Sequence, residues 1–254
     1  MLIARFTTGE DPRFAVVEGE ELAVVTGDPL YTPIQFTGER VALDDARLLA
    51  PVIPRSKVLG IGRNYAEHAA ELGNEVPSEP LVFLKPNTSV VGPGDPIVLP
   101  AASGRVDYEG ELAVVIGRVC RDVPVERAAE VILGYTCAND VTARDLQNSD
   151  GQWWRAKGYD SFCPLGPYLA TGIDARDVRI TTRLDGRTVQ DARTSQLVHD
   201  IPALVAFVSA AMTLLPGDVL LTGTPGGVGP MSPGSRVEVE VEGIGVLQNT
   251  AVRR

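Results

Sequence analysis

The sequence has 254 residues and is poor in both histidine and cysteine. Its two histidines are His68 and His199, so a three-histidine zinc site is excluded and any mechanism that needs histidine must use one of these two. The three cysteines, Cys120, Cys137 and Cys163, are odd in number and widely spaced, which excludes a disulfide framework and a Cys-x-x-Cys metal site. We expect each cysteine to be a reduced residue of the core.

The chain also lacks long apolar runs and an excess of positive charge. No run approaches the roughly 20 apolar residues of a membrane-spanning helix, and Met1 to Phe14 has none of the segments of a signal peptide. The 23 Lys and Arg residues are outnumbered by 33 Asp and Glu, without a basic stripe that could hold a phosphate backbone. We expect a cytoplasmic protein that binds neither membranes nor nucleic acids. Some of the excess acid could be buried carboxylates whose partner is a cation.

Strand patterns dominate the sequence. Apolar and acidic residues alternate from Val237 to Glu242, which is typical of a half-exposed strand, and Asp185-Gly186 has the composition of a hairpin turn. Helical patterns are confined to Asn64–Leu72, Val125–Leu133 and Ile201–Met212. In the first of these, Asn64 could cap the helix. Because strands and helices do not alternate regularly, a doubly wound α/β fold is disfavoured, and we predict a mixed α+β fold that is mostly β.

The first 50 residues differ from the rest. Three short strand patterns, Leu2–Phe6, Phe14–Val17 and Leu22–Val25, are separated by turn residues, and a proline-bearing stretch from Pro51 to Pro54 follows. We therefore predict a small β-rich N-terminal module over residues 1–54 and a catalytic domain over residues 55–254.

Two glycine-rich segments resemble nucleotide-binding loops but lack the residues that such loops need. Gly60 to Tyr65 begins like a dinucleotide-binding loop, but its sixth position is tyrosine and no βαβ unit follows. Thr222 to Gly229 lacks the Lys-Ser/Thr ending of a phosphate loop, although its backbone N–H groups could still bind an anion. The nucleophile motif Gly-x-Ser-x-Gly is absent from the sequence.

Three acidic residues form a candidate metal site. Glu109 and Glu111 are two residues apart at the start of a strand pattern, which places both carboxylates on one face. A hard cation would neutralise their repulsion, and oxygen ligands suit Mg²⁺ or Mn²⁺. Asp140 ends another apolar strand pattern and could supply a third ligand. The alternatives are a solvated strand end for the two glutamates and a capping role for Asp140.

Further polar residues could take part in catalysis. His68 and Glu71 are three residues apart on a short helix, so the carboxylate could orient the imidazole as a general base. The alternative is an exposed pair with little energetic effect. Lys157 lies among aromatic residues and could bind a carboxylate or an enolate oxygen, or could be an ordinary surface lysine.

Several ordered motifs from Arg55 to the C-terminus resemble the fumarylacetoacetate hydrolase family. They are Gly62-Arg63-Asn64-Tyr65-Ala66-Glu67-His68, Phe83-Leu84-Lys85-Pro86, Asp107-Tyr108-Glu109-Gly110-Glu111-Leu112, Asn139-Asp140-Val141-Thr142-Ala143-Arg144-Asp145, Phe162-Cys163-Pro164-Leu165-Gly166-Pro167 and Leu221-Thr222-Gly223-Thr224-Pro225. Several motifs in one order are more specific than any one alone.

The resemblance implies a β-roll core, usually in a homodimer, and a Mg²⁺ or Mn²⁺ ion held by the residues matching Glu109, Glu111 and Asp140. It implies that Lys157 contacts the substrate, and that His68 and Glu71 lie on a lid that closes over it. The residues that would line the substrate site match Arg63, Gln147, Gly223 and Thr224.

The resemblance implies an enzyme acting on a small 2-keto acid. The first hypothesis is hydrolysis of an acylpyruvate-type 2,4-dioxo acid, such as a fumarylpyruvate relative, through a pyruvate enolate. The same residues could instead isomerise 2-hydroxyhepta-2,4-diene-1,7-dioate, or tautomerise or decarboxylate oxaloacetate, because these reactions share the enolate. A protein that binds a metal or small molecule without catalysis is the remaining alternative.

Overall fold

The computed structural model describes residues 1–71, 73 and 75–253, and it is built mainly of strands. The N-terminal residues form five strands, which are β1 (Leu2–Thr7), β2 (Arg13–Glu18), β3 (Glu21–Val25), β4 (Phe36–Ala42) and β5 (Arg47–Leu49). These strands follow the turn-separated patterns of the sequence, and the glycines that separate them, such as Gly19 at φ 65°, occupy the left-handed region that glycine adopts without strain.

The middle of the chain contains nine strands and three short helices among the described residues. They are β6 (Val58–Gly62), α1 (Ala66–Glu71), β7 (Leu81–Lys85), β8 (Val90–Val91), β9 (Ile97–Leu99), β10 (Val106–Tyr108), β11 (Gly110–Ile116), β12 (Ile132–Asn139), β13 (Thr142–Ala143), α2 (Arg144–Ser149), α3 (Trp154–Lys157) and β14 (Cys163–Ala170).

The C-terminal part adds six strands and the longest helix of the described chain. They are β15 (Arg179–Leu184), β16 (Arg187–Arg193), α4 (Ile201–Ala211), β17 (Val219–Leu221), β18 (Gly229–Pro230), β19 (Arg236–Val241) and β20 (Gly245–Arg253). Single 3-10 turns connect some of the elements, at Leu43–Asp45, Asn87–Ser89, Val125–Glu130, Ala175–Asp177 and Thr194–Gln196.

The strands form three sheets. The largest has the order β4-β3-β2-β1-β14-β12-β11-β17-β6-β7, with β5 paired to β1 and β8 paired to β14. A five-stranded sheet has the order β16-β15-β19-β20-β9, and a small sheet joins β13, β10 and β18. The prediction of a mixed, mostly β fold is confirmed.

The centre of the large sheet is buried on both faces. Along β11, Leu112 and Val114 pack into a core shared with the five-stranded sheet and α4, whereas Ala113 and Val115 pack into a second cluster on the opposite face. Successive strand residues point to opposite faces, so a strand covered on both sides needs an unbroken apolar run. This run fixes β11 rigidly, and the site described below begins at its N-terminal end.

The clearest local predictions are confirmed. Helix α4 is capped by Asp200, whose side chain accepts a hydrogen bond from the N–H of Ala203 at 2.9 Å. Asp185 and Gly186 both have positive φ and join β15 to β16 in the predicted hairpin. Strand β19 alternates between buried valines and more exposed neighbours, as its sequence indicates.

Two helix predictions need correction. The segment predicted as a helix over Val125–Leu133 forms only a 3-10 turn, and its end joins β12, because Ile132 pairs with Ile116 of β11. Asn64 does not cap α1. Its side chain accepts the N–H of His199 and donates to the carbonyl of Thr222, so it ties two other segments together. Leu72, at the predicted end of that helix, lies outside the described residues.

The N-terminal strands have a small apolar cluster of their own, which includes Phe6 and Leu22. They are also continuous with the large sheet, since Leu2 and Ile3 of β1 pair with Ala170 and Leu169 of β14. The division of the chain after residue 54 stays a prediction. No helix among the described residues has the length and apolar composition to cross a membrane.

The close pairing of β12 and β14 gives a test of the sheet. A Cβ at Gly134 would overlap the backbone carbonyl of Ala170, and backbone cannot move aside as a flexible side chain can. We expect Gly134→Ala to lower the free energy of unfolding by about 1–3 kcal/mol, measured by urea denaturation. Gly151→Ala is the matched control, because a Cβ there meets nothing within 4 Å. Equal stability of the two variants would contradict this account of the packing.

Candidate active site

The acidic cluster is created by the register of two strands. Gly110 pairs with Asn139 and Glu111 with Ala138, so Asp140, which follows β12, lies opposite Glu109, which precedes β11. The N–H of Asp140 donates to the carbonyl of Glu109 at 2.8 Å. One oxygen from each of Glu109, Glu111 and Asp140 lies within 4.8 Å of the others, and all three residues are buried. The three residues predicted as ligands therefore meet at one point.

Three buried basic residues surround the cluster. Lys157, on α3, donates to Glu109 at 2.8 Å and to Asp140 at 2.5 Å. Lys85, at the end of β7, donates to the other oxygen of Asp140 at 2.5 Å, and Arg144 donates to Glu109 at 2.6 Å. Lys157 is only 2 % exposed, so its alternative reading as a surface lysine is wrong. Its ammonium group also lies 4.8 Å from the ring centre of Phe83.

The three basic residues do not neutralise the carboxylates of the cluster equally. Burial alone would raise the pKa of Glu109, but Lys157 and Arg144 hold it well below its ordinary value. Burial, Asp140 and Glu109 together raise the pKa of Glu111 well above its ordinary value. Among the described residues, Glu111 accepts one hydrogen bond, from the N–H of Gly223 at 2.6 Å. A buried carboxylate with so little compensation needs a proton or a cation, so the donor set fits a divalent metal.

His68 and Glu71 lie on α1. His68 is 5 % exposed, and its Nδ1 atom is buried without a hydrogen-bond partner among the described residues. Its distance to the Glu71 carboxylate is 3.7 Å, which is too long for a hydrogen bond. The Glu71 carboxylate instead accepts the N–H of Gly227 at 3.0 Å. Burial lowers the pKa of His68, although Glu109 opposes the shift. The lowered pKa favours the neutral imidazole, which is the form that can accept a proton.

A cavity of about 420 Å³ opens beside these groups. Its lining includes Glu109, Lys157 and His68, together with Arg63 and Gln147, which were predicted to contact substrate. The side chain of Trp153 also reaches the cavity, as do Ile61, Gly62, Arg105, Arg144, Asn148 and Thr224. Glu109 of the acidic cluster, His68 and most of the predicted substrate residues therefore line one cavity.

Gly223 and Thr224 have other partners. The N–H of Gly223 binds Glu111, and the Thr224 hydroxyl donates to the carbonyl of Gly110 at 2.9 Å. Gly227 binds the Glu71 carboxylate in the same way. Two backbone N–H groups of the glycine-rich segment therefore bind carboxylates of the protein itself. Their predicted contact with substrate stays a prediction, which the lining of the cavity by Thr224 supports.

Lys85, Asp107 and Arg144 were not among the predicted site residues, although each belongs to a motif shared with the family. A buried charge is not visible in a single sequence, because lysine and arginine are mostly exposed. The one available signal was the spacing of Arg144 and Gln147, which are three residues apart and therefore share a helix face. Their side chains meet at 2.6 Å.

The comparisons with known proteins decide the family. Residues 57–252 match the model of the fumarylacetoacetate (FAA) hydrolase C-terminal family. The chain belongs to this family of enzymes. Residues 1–51 match a second model, the Rv2993c-like N-terminal family.

Three relatives are similar over most of the chain. The solved structure of a 2-hydroxyhepta-2,4-diene-1,7-dioate isomerase from Mycobacterium marinum is 48% identical, covers 100% of this chain and 99% of its own, and has a TM-score of 0.92. Rat (Rattus norvegicus) mitochondrial oxaloacetate tautomerase Fahd2a is 43% identical over 80% of this chain and 69% of its own. The structure of a maleylpyruvate hydrolase from Sphingobium sp. SYK-6 is 33% identical over the full length of both chains, with a TM-score of 0.83.

The raised pKa of Glu111 predicts that the free energy of unfolding of the metal-free protein falls as pH rises. The folded state holds this proton more tightly than the unfolded chain, so the resulting stabilisation is complete below the unfolded pKa of about 4.3 and is lost as pH rises through the folded pKa. Glu111→Gln cannot ionise. In urea denaturation with EDTA, we expect the variant to gain stability relative to wild type from about pH 5 upward.

Addition of Mn²⁺ at neutral pH is the control for this measurement. The ion should stabilise wild type more than Glu111→Gln, because it replaces the missing proton on a carboxylate that the variant lacks. A stability difference that stays constant with pH and is unaffected by Mn²⁺ would mean that Glu111 is neutralised by other groups.

Proposed function

We propose that the protein is a divalent-metal-dependent enzyme that acts on a small 2-keto acid through its enolate. The observation that carries this proposal is the cavity that Glu109 of the buried carboxylate cluster shares with the buried side chains of Lys157 and His68. Glu109, Glu111 and Asp140 would hold Mg²⁺ or Mn²⁺. The ion would polarise the 2-oxo group and lower the barrier to forming the enolate.

Other residues of the chain would supply the base, a fixed positive charge and the contacts to the substrate. His68 lines the cavity, and burial lowers the pKa of its imidazole, which favours the neutral form that can remove a proton. Lys157 places a fixed positive charge beside Glu109 and Asp140, where negative charge develops on the substrate. Arg63 and Gln147 would bind the rest of the substrate. Closure of α1 over the cavity would exclude water.

The first candidate reaction is proton transfer on the enolate, as in oxaloacetate tautomerisation or isomerisation of a hydroxydienedioate. His68 would take a proton from carbon, and the proton would return at another atom of the same conjugated system. The relatives at 43% and 48% identity, named as a tautomerase and an isomerase, support this choice.

The second candidate is hydrolysis of an acylpyruvate, the reaction that the sequence motifs favour. His68 would deprotonate a water molecule that attacks the distal carbonyl, and pyruvate would leave as its enolate. The relative named as a maleylpyruvate hydrolase supports this reaction at 33% identity. The choice of metal, the homodimer, the cytoplasmic location and the absence of nucleic-acid or membrane partners stay predictions.

The deciding experiment mixes the purified protein with enol oxaloacetate and, separately, with acetylpyruvate, in Mg²⁺ and then in excess EDTA. Metal-dependent loss of enol absorbance from oxaloacetate, without pyruvate or CO₂, would support the tautomerase. Metal-dependent pyruvate from acetylpyruvate would support the hydrolase, and CO₂ from oxaloacetate a decarboxylase. No metal-dependent change in either acid would rule out the tautomerase, the decarboxylase and the acylpyruvate hydrolase. The same two conditions with 2-hydroxyhepta-2,4-diene-1,7-dioate then decide between an isomerase and a protein that only binds a metal or small molecule.

The two histidines provide a matched pair for the assigned base. We expect His68→Ala to lower kcat by about 10²–10⁴-fold, because it removes the proton acceptor from the cavity. His199→Ala should retain nearly wild-type kcat, since the His199 side chain faces the carbonyl of Pro77 at 3.4 Å rather than the cavity. Steady-state kinetics on the accepted substrate measures both. Near-normal kcat in His68→Ala would remove His68 from the mechanism.

Loss of a ligand tests the metal site directly. We expect Asp140→Asn to abolish detectable turnover and to weaken Mn²⁺ binding in calorimetry, because a neutral amide is a poorer ligand than a carboxylate for a hard cation. Turnover at the wild-type rate in this variant, with EDTA present, would show that the reaction does not use the acidic cluster.

A further inference from the structure

Asp107 is a fully buried carboxylate beside the acidic cluster but not a member of it. It lies on β10, two residues before Glu109, and its exposed fraction is 0%. Its Oδ1 accepts Nε of Arg105 at 2.9 Å, and its Oδ2 accepts Nη2 of Arg105 at 3.1 Å and Nε of Arg144 at 2.9 Å. One buried carboxylate therefore binds two arginines that both line the cavity.

The guanidinium of Arg144 is held on three sides. Its Nε donates to Asp107, its Nη1 to Gln147 at 2.6 Å and its Nη2 to Glu109 at 2.6 Å. A guanidinium is planar, so three partners in different directions fix both its position and its orientation. Arg144 is 5% exposed and has little freedom to move elsewhere.

The backbone brings these residues together independently of their charges. Val106 and Asp107 of β10 pair with Ala143 and Thr142 of β13, and β13 runs directly into α2 at Arg144. The N–H of Arg144 donates to the carbonyl of Arg105 at 2.8 Å. Asp107 is therefore placed at the base of the Arg144 side chain by strand pairing.

We propose that Asp107 is a positioning residue that aims the Arg144 guanidinium into the cavity, where it binds the carboxylate end of the substrate. This inference rests on the proposed function. Glu109 attracts Arg144 strongly, and without a carboxylate on the opposite side the guanidinium would turn to bind Glu109 with two hydrogen bonds. Asp107 balances that attraction and keeps Nη1 beside Gln147.

The test is Asp107→Asn, which keeps the shape of the side chain but turns an amide N–H₂ toward arginine donors. We expect KM to rise by about 10–100-fold with a smaller change in kcat, because a carboxylate contact is present in both the ground and transition states. Oxalate, which has the shape of a pyruvate enolate, provides a readout without turnover. Its affinity in Mg²⁺, measured by calorimetry, should weaken by a similar factor.

A double-mutant cycle shows whether Asp107 acts through Arg144. In Arg144→Met, Asp107 keeps Arg105 and Glu109 keeps Lys157 as partners. If Asp107 works through Arg144, Asp107→Asn should weaken oxalate binding by less than about twofold further in that background. Independent, multiplying effects would overturn the proposal.

Asp218→Asn is the matched control for loss of a buried aspartate. Asp218 is 1% exposed and binds Lys57 at 2.6 Å, at the end of β17 away from the acidic cluster. We expect this variant to lose thermal stability while its KM and oxalate affinity stay at wild-type values. If Asp107→Asn behaves in the same way, its role is structural and the proposal is wrong.

The oxalate measurement separates this proposal from the proposed function. Tight binding to wild type and weak binding to Asp107→Asn, without turnover of any 2-keto acid, would support the role of Asp107 and contradict the enzyme assignment. Equal binding to both proteins, with turnover by wild type, would contradict the role of Asp107 and support the enzyme assignment. Failure of wild type to bind oxalate in Mg²⁺ would overturn the role of Asp107, and failure to turn over any 2-keto acid as well would contradict both proposals.

Discussion

The antiparallel pairing of β11 with β12 is the constraint on which the site depends. Its register places Asp140 opposite Glu109 and leaves Glu111 on the same side, so three carboxylates are forced together by backbone hydrogen bonds. Burial of the apolar run of β11 on both faces of the sheet provides free energy that offsets this repulsion. A shift of one residue would turn Glu111 toward the other face and disperse the cluster.

The lysines and Arg144 are a second consequence of the same pairing. Buried carboxylates require compensation, and Lys85, Lys157 and Arg144 supply it from β7, α3 and α2. Glu109 accepts hydrogen bonds from Lys157 and Arg144, whereas Glu111 accepts one from a backbone N–H among the described residues, and the pKa of Glu109 is accordingly lowered while that of Glu111 is raised. The cluster can therefore accept additional positive charge beside Glu111.

The sequence was informative where the relevant interaction is local. The spacing of Glu109 and Glu111 predicted a shared face, the Asp185-Gly186 turn predicted its hairpin, and the helical pattern over Ile201–Met212 predicted α4. It failed where a distant partner decides the outcome. Residues 125–133 have a helical pattern, but pairing of Ile132 with β11 ends the helix early. The compensating role of Lys85 depends on contact with Asp140, 55 residues away, which no local pattern reveals.

The continuity of β1 with β14 has a consequence for the evolution of the fold. A sheet whose last strand has unpaired N–H and C=O groups is open to pairing with another chain, and proteins cover such edges. Here β1 pairs with the end of β14, so the N-terminal strands cover that edge and move the end of the large sheet to β4. A family member without these strands must protect that edge in another way, by a different extension, by charged residues or by a neighbouring subunit.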